Sequence, residues 1–187
     1  SIDRPVSGSY VIVGERVYLV ETSTEEVASL LLSSLGQLGI RKEDVAGVIA
    51  THIHLDHSGG AGWLVRQMPW VKVYVHPSGA RHLMDPSRLL ASADKVYGGR
   101  EEVLRIHGSV HPVPEESIVP VETASIDAGG GVRLRIYPAP GHAPHHLMVF
   151  EEAKGLAFVG ELPGHYFPGH DILCLPLPRR DSTMRTL

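Results

Sequence analysis

The chain has 187 residues, 43% of them hydrophobic, a formal net charge of −4 and a single cysteine, Cys174. That length suits one domain spanning residues 1–187, and the lone cysteine excludes an intrachain disulfide framework and fits a reducing cytoplasm. There is no apolar run long enough for a membrane span, no secretory leader pattern and no basic patch, so neither a membrane nor a nucleic acid is expected as a partner. The absence of asparagine, with only Gln37 and Gln67 as glutamines, hints at a thermophilic source.

In chain order, "SYVIVGERVYLVE" predicts a hairpin with strands at Tyr10 to Val13 and Val17 to Val20. Ser23 and Glu26 have capping-box spacing, and the helix they open puts Val27, Leu31, Leu35 and Leu38 on one face before Gly39 stops it. "VAGVIAT" (Val45 to Thr51) predicts a strand buried on both faces. "AGWLVRQM" predicts a helix ending before Pro69, and "VKVYVH" the next strand. From Pro77 to His107 the pattern is helical, with Asp85 and Pro86 as cap and first helical residue. A proline-rich loop runs from His111 to Pro120. Strands follow at Ser125 to Asp127, Val132 to Tyr137, His146 to Phe150 and Leu156 to Val159. This order predicts an α/β domain of layered helices and sheets.

Twelve histidines are unusual, and they concentrate. "ATHIHLDHSGG" follows the buried strand and carries His52, His54, Asp56 and His57. Residues two apart on an extended loop point the same way, so His52 and His54 can share a metal. Imidazole suits zinc, iron or manganese, and Asp56 and His57 can serve a neighbouring position. A catalytic site needs further ligands from distant sequence. "YPAPGHAPHH" offers His142 and "LAFVGELPGH" offers Glu161, each on a turn after a strand.

The motif His-x-His-x-Asp-His in "THIHLDH", the Pro-Gly-His turn in "APGHAPHH" and the strand end "FVGE" together resemble the metallo-β-lactamase superfamily. "VYVHPSGARHLMDPSRLLASADKVYGG" is similar to a branch of hydrolases near the glyoxalase II-like enzymes. The resemblance implies a four-layer αββα sandwich with metal at one edge between the sheets, and a helical insertion around 77–107 overhanging it. It implies that His52, His54 and His142 hold a first ion, and that Asp56 and His57 hold a second, with Glu161 bridging where relatives carry aspartate. Zinc is the expected metal, as one or two ions, with iron or manganese as alternatives.

A water bound to such an ion ionises near neutrality and can attack a carbonyl, with Asp56 orienting it. The expected function is therefore hydrolysis of a thioester, ester or lactone in a small-molecule substrate. Two alternatives are a mononuclear iron oxidoreductase resembling the superfamily's persulfide dioxygenases, and a metal-impaired binding or regulatory module. Arg81, Arg88 and Tyr97 are candidates for holding a carboxylate or phosphate. His146 is expected in a structural hydrogen-bonding role, His145 towards the pocket or water, His76 as a satisfied loop residue, and His82, His107 and His111 at the surface or in caps. His165 and His170 are the candidates to replace the family's last histidine, which has no counterpart here. Cys174 is expected to be buried and inert. "PRRDSTMRTL", with Asp181 as a cap, starts a helix that the chain does not continue. The expectation is that the family's last helix and strand are missing, or that a partner chain covers the gap; a homodimer is one expected assembly.

Overall fold

In a computed structural model that describes residues 8–163, 165–167 and 172–174, the first hairpin forms as expected. Strands β1 (Tyr10–Val13) and β2 (Val17–Val20) pair antiparallel, with Tyr10 opposite Val20. Helix α1 (Glu25–Gln37) follows, but its cap is Thr24 rather than Ser23: Thr24 Oγ1 accepts from the Val27 N–H. Ser23 instead takes a left-handed turn, φ +54°, and its N–H donates to the His57 carbonyl at 2.9 Å. The buried face accordingly carries Ala28, Leu32 and Leu35, while Leu38, expected inside, lies past the last turn and is 69% exposed.

Next come β3 (Val45–Ile49), the short helix α2 (Leu55–Ser58), α3 (Ala61–Gln67), β4 (Lys72–Val75), α4 (Pro77–Met84), α5 (Ser87–Tyr97) and α6 (Arg100–His107). The proline-rich segment is not all loop. Ile118–Pro120 forms β5, an edge strand, where Pro120 can sit because an edge position need not donate an N–H. The first sheet has the order β1-β2-β3-β4-β5, antiparallel for β1 with β2 and parallel thereafter. Strands β6 (Ala124–Gly129), β7 (Val132–Pro138), β8 (Leu147–Glu151) and β9 (Leu156–Phe158) form a second, antiparallel sheet. A small hairpin pairs β10 (His165–Phe167) with β11 (Ile172–Cys174). His170 and residues 178–187, with their expected cap Asp181, lie outside the described residues.

Period-two alternation explains how the layers stack. On β2, Val17 and Leu19 face α1, α3 and α4, in one core with Leu35, Leu64 and Leu83. Tyr18 and Val20 face the other way, in a second core with Ile126, Leu134, Ile136, Leu147 and Val149 of the second sheet. The two sheets thus pack face to face, with helices on the outside of the first. The outer face of the second sheet alternates to Asp127, Arg133 and Arg135, with ion pairs Arg133–Asp127 and Arg135–Glu152, and no described helix shares a core cluster with it. Three of the four expected layers are therefore in the described residues. The helical segment 77–107 also divides. Ala80 and Leu83 of α4 belong to the main helix layer, whereas α5 and α6 form a separate cluster with Leu55 beside the histidine loop. Among the described residues no helix is long and apolar enough to cross a membrane.

Candidate metal centre

Strand β3 ends at Ile49, and its continuation delivers the motif residues to the rim between the sheets. The Leu147 N–H at the start of β8 donates to the Thr51 carbonyl at 2.7 Å, tying the two sheets together beside the cluster. His54 caps α2, so Asp56 and His57 stand in that helix's first turn. The loop then crosses close over the start of α1, where the Gly60 N–H donates to the Ser23 carbonyl; a Cβ at Gly60 would lie 2.6 Å from the Ala28 Cβ.

Three histidines converge, two from the loop after β3 and one from the turn before β8. His54 Nδ1 lies 3.1 Å from His52 Nε2 and 2.9 Å from His142 Nε2. Glu161 Oε2 is 2.6 Å from His142 Nε2 and 3.6 Å from His52 Nε2, and the four donor atoms lie within 4.8 Å of one another. A second set, Asp56, His57 and Glu161, meets the same limit. There His57 Nε2 is 3.3 Å from Asp56 Oδ2 and 4.0 Å from Glu161 Oε2. Glu161, one methylene longer than aspartate, is thus common to both sets.

The donor chemistry fits a divalent ion. A tetrahedral ion with bonds of about 2.0–2.1 Å spaces its ligands roughly 3.4 Å apart, close to these separations. Thr51 Oγ1 lies 3.1 Å from His52 Nδ1; in the tautomer with the proton on Nδ1, it accepts that hydrogen bond and the Nε2 lone pair is left for the cluster. His57 Nε2 is buried without a hydrogen-bond partner, an orphan that an ion would satisfy. Burial pushes His52 far down and, with the neighbouring His142, holds His54 at about 4, so both rings stay neutral as ligation requires. Burial also opposes charge on His57. The adjacent carboxylates of Asp56 and Glu21, the latter bonded to Nδ1, outweigh it and, in the metal-free protein, raise His57 to about 10. For Asp56 the cost of burial is likewise overcome by His57, and its carboxyl is held below the usual range.

Several participants were not picked out from sequence. Glu21, at the end of β2 with φ +66°, is buried; its Oε2 accepts from His57 Nδ1 at 2.6 Å and its Oε1 from the Thr51 N–H at 2.8 Å. An acid closing an all-apolar strand beside the strand that delivers the ligands was the available signal. His107, expected at the surface, is 3% exposed, and its ring meets Tyr97 edge-on at 5.0 Å. Its spacing of four from the buried Val103 could have revealed this. His146, expected in a structural hydrogen-bonding role, is buried with neither ring nitrogen bonded; it stacks on His52 at 4.8 Å instead. Gly160 makes room for it. A Cβ there would fall 2.6 Å from both His146 Nε2 and Thr51 Oγ1, at φ +51°. His76 is satisfied by Ser78, as expected. His82 and His111 are half-buried rather than exposed. His165 and Cys174 lie on β10 and β11.

A cleft of about 430 Å³ opens over the cluster, lined by His54, Asp56, His142 and Glu161 on one side and by Leu89, Ala93, Val96, Tyr97 and His107 of α5 and α6 on the other.

Residues 3–183 match the family model described as the metallo-beta-lactamase superfamily. The chain is 30% identical over 126 residues to the metallo-beta-lactamase fold-containing protein ST1585 of Sulfurisphaera tokodaii, covering 65% of this chain and 46% of the relative. It is 24% identical over 161 residues to the probable metallo-hydrolase YybB of Bacillus subtilis, covering 84% and 62%. Over 114 residues it is 28% identical to a hydroxyacylglutathione hydrolase of Legionella pneumophila, covering 61% and 32%. It therefore spans about a third to under two thirds of these relatives' lengths. The crystal structure of the archaeal ST1585 from Sulfolobus tokodaii superposes with a TM-score of 0.74 at 24% identity, over 94% of this chain and 64% of that one. With the motif histidines gathered at the rim of two face-packed sheets, and a family match over nearly its whole length, the chain belongs to the metallo-β-lactamase superfamily.

Proposed function

We propose that the protein is a metal-dependent hydrolase of a thioester, ester or lactone in a small molecule, near the glyoxalase II-like branch. The carrying observation is the pair of donor sets that share Glu161 Oε2 and open onto one cleft. His52, His54 and His142 would hold one ion, and Asp56 and His57 a second, with Glu161 between them; zinc suits this mixed nitrogen and oxygen set. A divalent ion there supplies a Lewis acid for the carbonyl and brings the pKa of its water towards neutrality. The chain's own residues do the rest. Asp56, held ionised, accepts a hydrogen bond from the attacking water and takes its proton. Glu21 fixes the His57 ring through Nδ1, and Thr51 fixes His52. Leu89, Val96 and Tyr97 shield the cleft on its far side.

The test is thioester hydrolysis by protein stripped with a chelator and then reloaded with zinc. Activity should vanish on stripping and return on loading. His54→Ala should cost at least about 10²-fold, the scale expected when several kcal/mol of Lewis-acid stabilisation is lost. Hydrolysis that persists in rigorously metal-free protein would show the reading to be wrong.

A further inference from the structure

We infer that the cleft continues into a second lobe that binds an oxyanionic group of the substrate, a carboxylate or a phosphoryl group, through Arg88 and Arg81. This inference deepens the hydrolase reading and rests on it for the word substrate; the anion site itself does not.

The second lobe, about 320 Å³, is lined by Ile53, Ser78, Arg81, His82, Arg88 and His145, among others. It shares His54, Leu89 and Ser92 with the lobe over the metal cluster, so one molecule can extend from one into the other. The two lobes differ in charge. Asp56 and Glu161 line the first; no acidic side chain lines the second. The other described arginines with bidentate partners are already engaged: Arg41 with Asp44, Arg100 with Asp94 and Arg105 with Glu102. Arg88 has no carboxylate partner among the described residues, and Arg81 gives its Nε–H to His82 Nε2 at 3.3 Å. Asp85, its carboxyl held low by the Ser87 N–H that it caps and also by the charge of Arg88, is not part of the lining.

Arg81 on α4 and Arg88 on α5, seven residues apart, line the same cavity, where an anion could draw on both guanidinium groups. Arginine's planar fork of donors matches the two oxygens of a carboxylate or phosphate. The hydroxyls of Ser78 and Ser92 can add neutral donors, and the buried His145 Nε2 has no hydrogen-bond partner in the protein. A substrate with an anionic end, its acyl carbon at the metal cluster and its charge on Arg88, satisfies both lobes at once. A neutral substrate leaves the second lobe's positive charge uncompensated.

The test separates binding from turnover. Metal-free protein is titrated with glutarate, with its neutral dimethyl ester and with inorganic phosphate, while the arginine Nε–H resonances are followed by NMR. The expected result is a saturable shift at Arg88 and Arg81 with glutarate or phosphate and none with the ester. Arg88→Gln should weaken anion binding roughly 10- to 100-fold, the scale of one charge-assisted contact, while Arg133→Gln, far from the cleft, should leave it unchanged. The tighter of the two anions identifies the group. In zinc-loaded protein, a thioester with a free carboxylate should be preferred over its methyl ester through a lower KM, and Arg88→Gln should erase that preference by raising KM for the free acid. Anion binding at Arg88 in a protein that hydrolyses nothing would refute the hydrolase reading and leave the subsite standing. Hydrolysis indifferent to the charge, with Arg88 shifting no more than Arg133, would overturn the subsite and leave the hydrolase reading intact.

Discussion

Replacing Glu21 by glutamine exchanges one carboxylate oxygen for an amide nitrogen and keeps the side chain's shape. The native carboxylate accepts two buried donors, the Thr51 N–H at 2.8 Å and His57 Nδ1–H at 2.6 Å. A glutamine oxygen can serve one of them, and its NH₂ must then face the other. One buried donor is left unpaired and the surviving bond loses its charge, a cost of about 2–4 kcal/mol to the fold. The left-handed backbone, φ +66°, is the same for both residues, so the difference reports on the carboxylate alone. The imidazole also loses the partner that orients it and raises its basicity, which typically costs 10- to 100-fold in metal affinity. Urea unfolding of the metal-free protein reads the first effect, and zinc competition against a chromophoric chelator reads the second. Wild-type affinity together with a wild-type unfolding midpoint in Glu21→Gln would refute the role given to this residue.

Gly160→Ala should destabilise by about 1–3 kcal/mol, because its Cβ meets His146 and Thr51 and the backbone is left-handed; a denaturant midpoint equal to wild type would contradict the tight packing. Zinc at about 1,000 times its dissociation constant should stabilise the fold by about 4 kcal/mol, and calorimetry should find this gain lost in His52→Ala. The pH dependence of the metal-free protein follows from its histidines. Burial holds His54 and His146 at about 4 and His145 at about 3 in the fold. The unfolded chain takes up these protons below about pH 6.5, so stability falls with pH there, by up to about 1.4 kcal/mol per unit for each ring. His57, raised to about 10, works in the opposite direction: its contribution is complete below about 6.5 and is lost as pH climbs through about 10. Melting temperatures at pH 5, 7 and 10 should peak at 7, and a higher value at 5 would contradict the buried neutral rings.

The residues visible in the sequence were those whose chemistry is local. His52 and His54 announce themselves by spacing, His142 and Glu161 by turns after apolar strands, and the strands themselves by alternation. What depended on partners far along the chain was hidden. Glu21 looks like any polar residue ending a strand until β2 is known to lie beside β3. Strand β5 is short, carries a proline and exists because β4 offers an edge. The helix cap moved from Ser23 to Thr24 because Thr24 has the extended backbone that a cap needs, whereas Ser23 is left-handed in the turn that reaches the His57 carbonyl. Leu38 has the right spacing for a buried face, yet the helix ends before it. Glu161 was visible as an acid after a strand, but its sharing between two donor sets needed coordinates.

The tie between Thr51 and Leu147, with the bonds of Glu21, fixes when in the life of the chain this centre comes into being. His54 meets His142 across 88 residues, and Glu21 reaches Thr51 and His57 across 30 and 36. Closures of that span cost more chain entropy than the local hairpins and helices, although the cost grows slowly with length, and are expected to follow them in folding. The donors cannot assemble until parallel β2 and β3 have paired and the second sheet has docked. An ion therefore enters a finished scaffold instead of nucleating one. Its grip acts on the native state and hardly on the folding transition state, so loading slows unfolding while leaving the rate of folding nearly as it was.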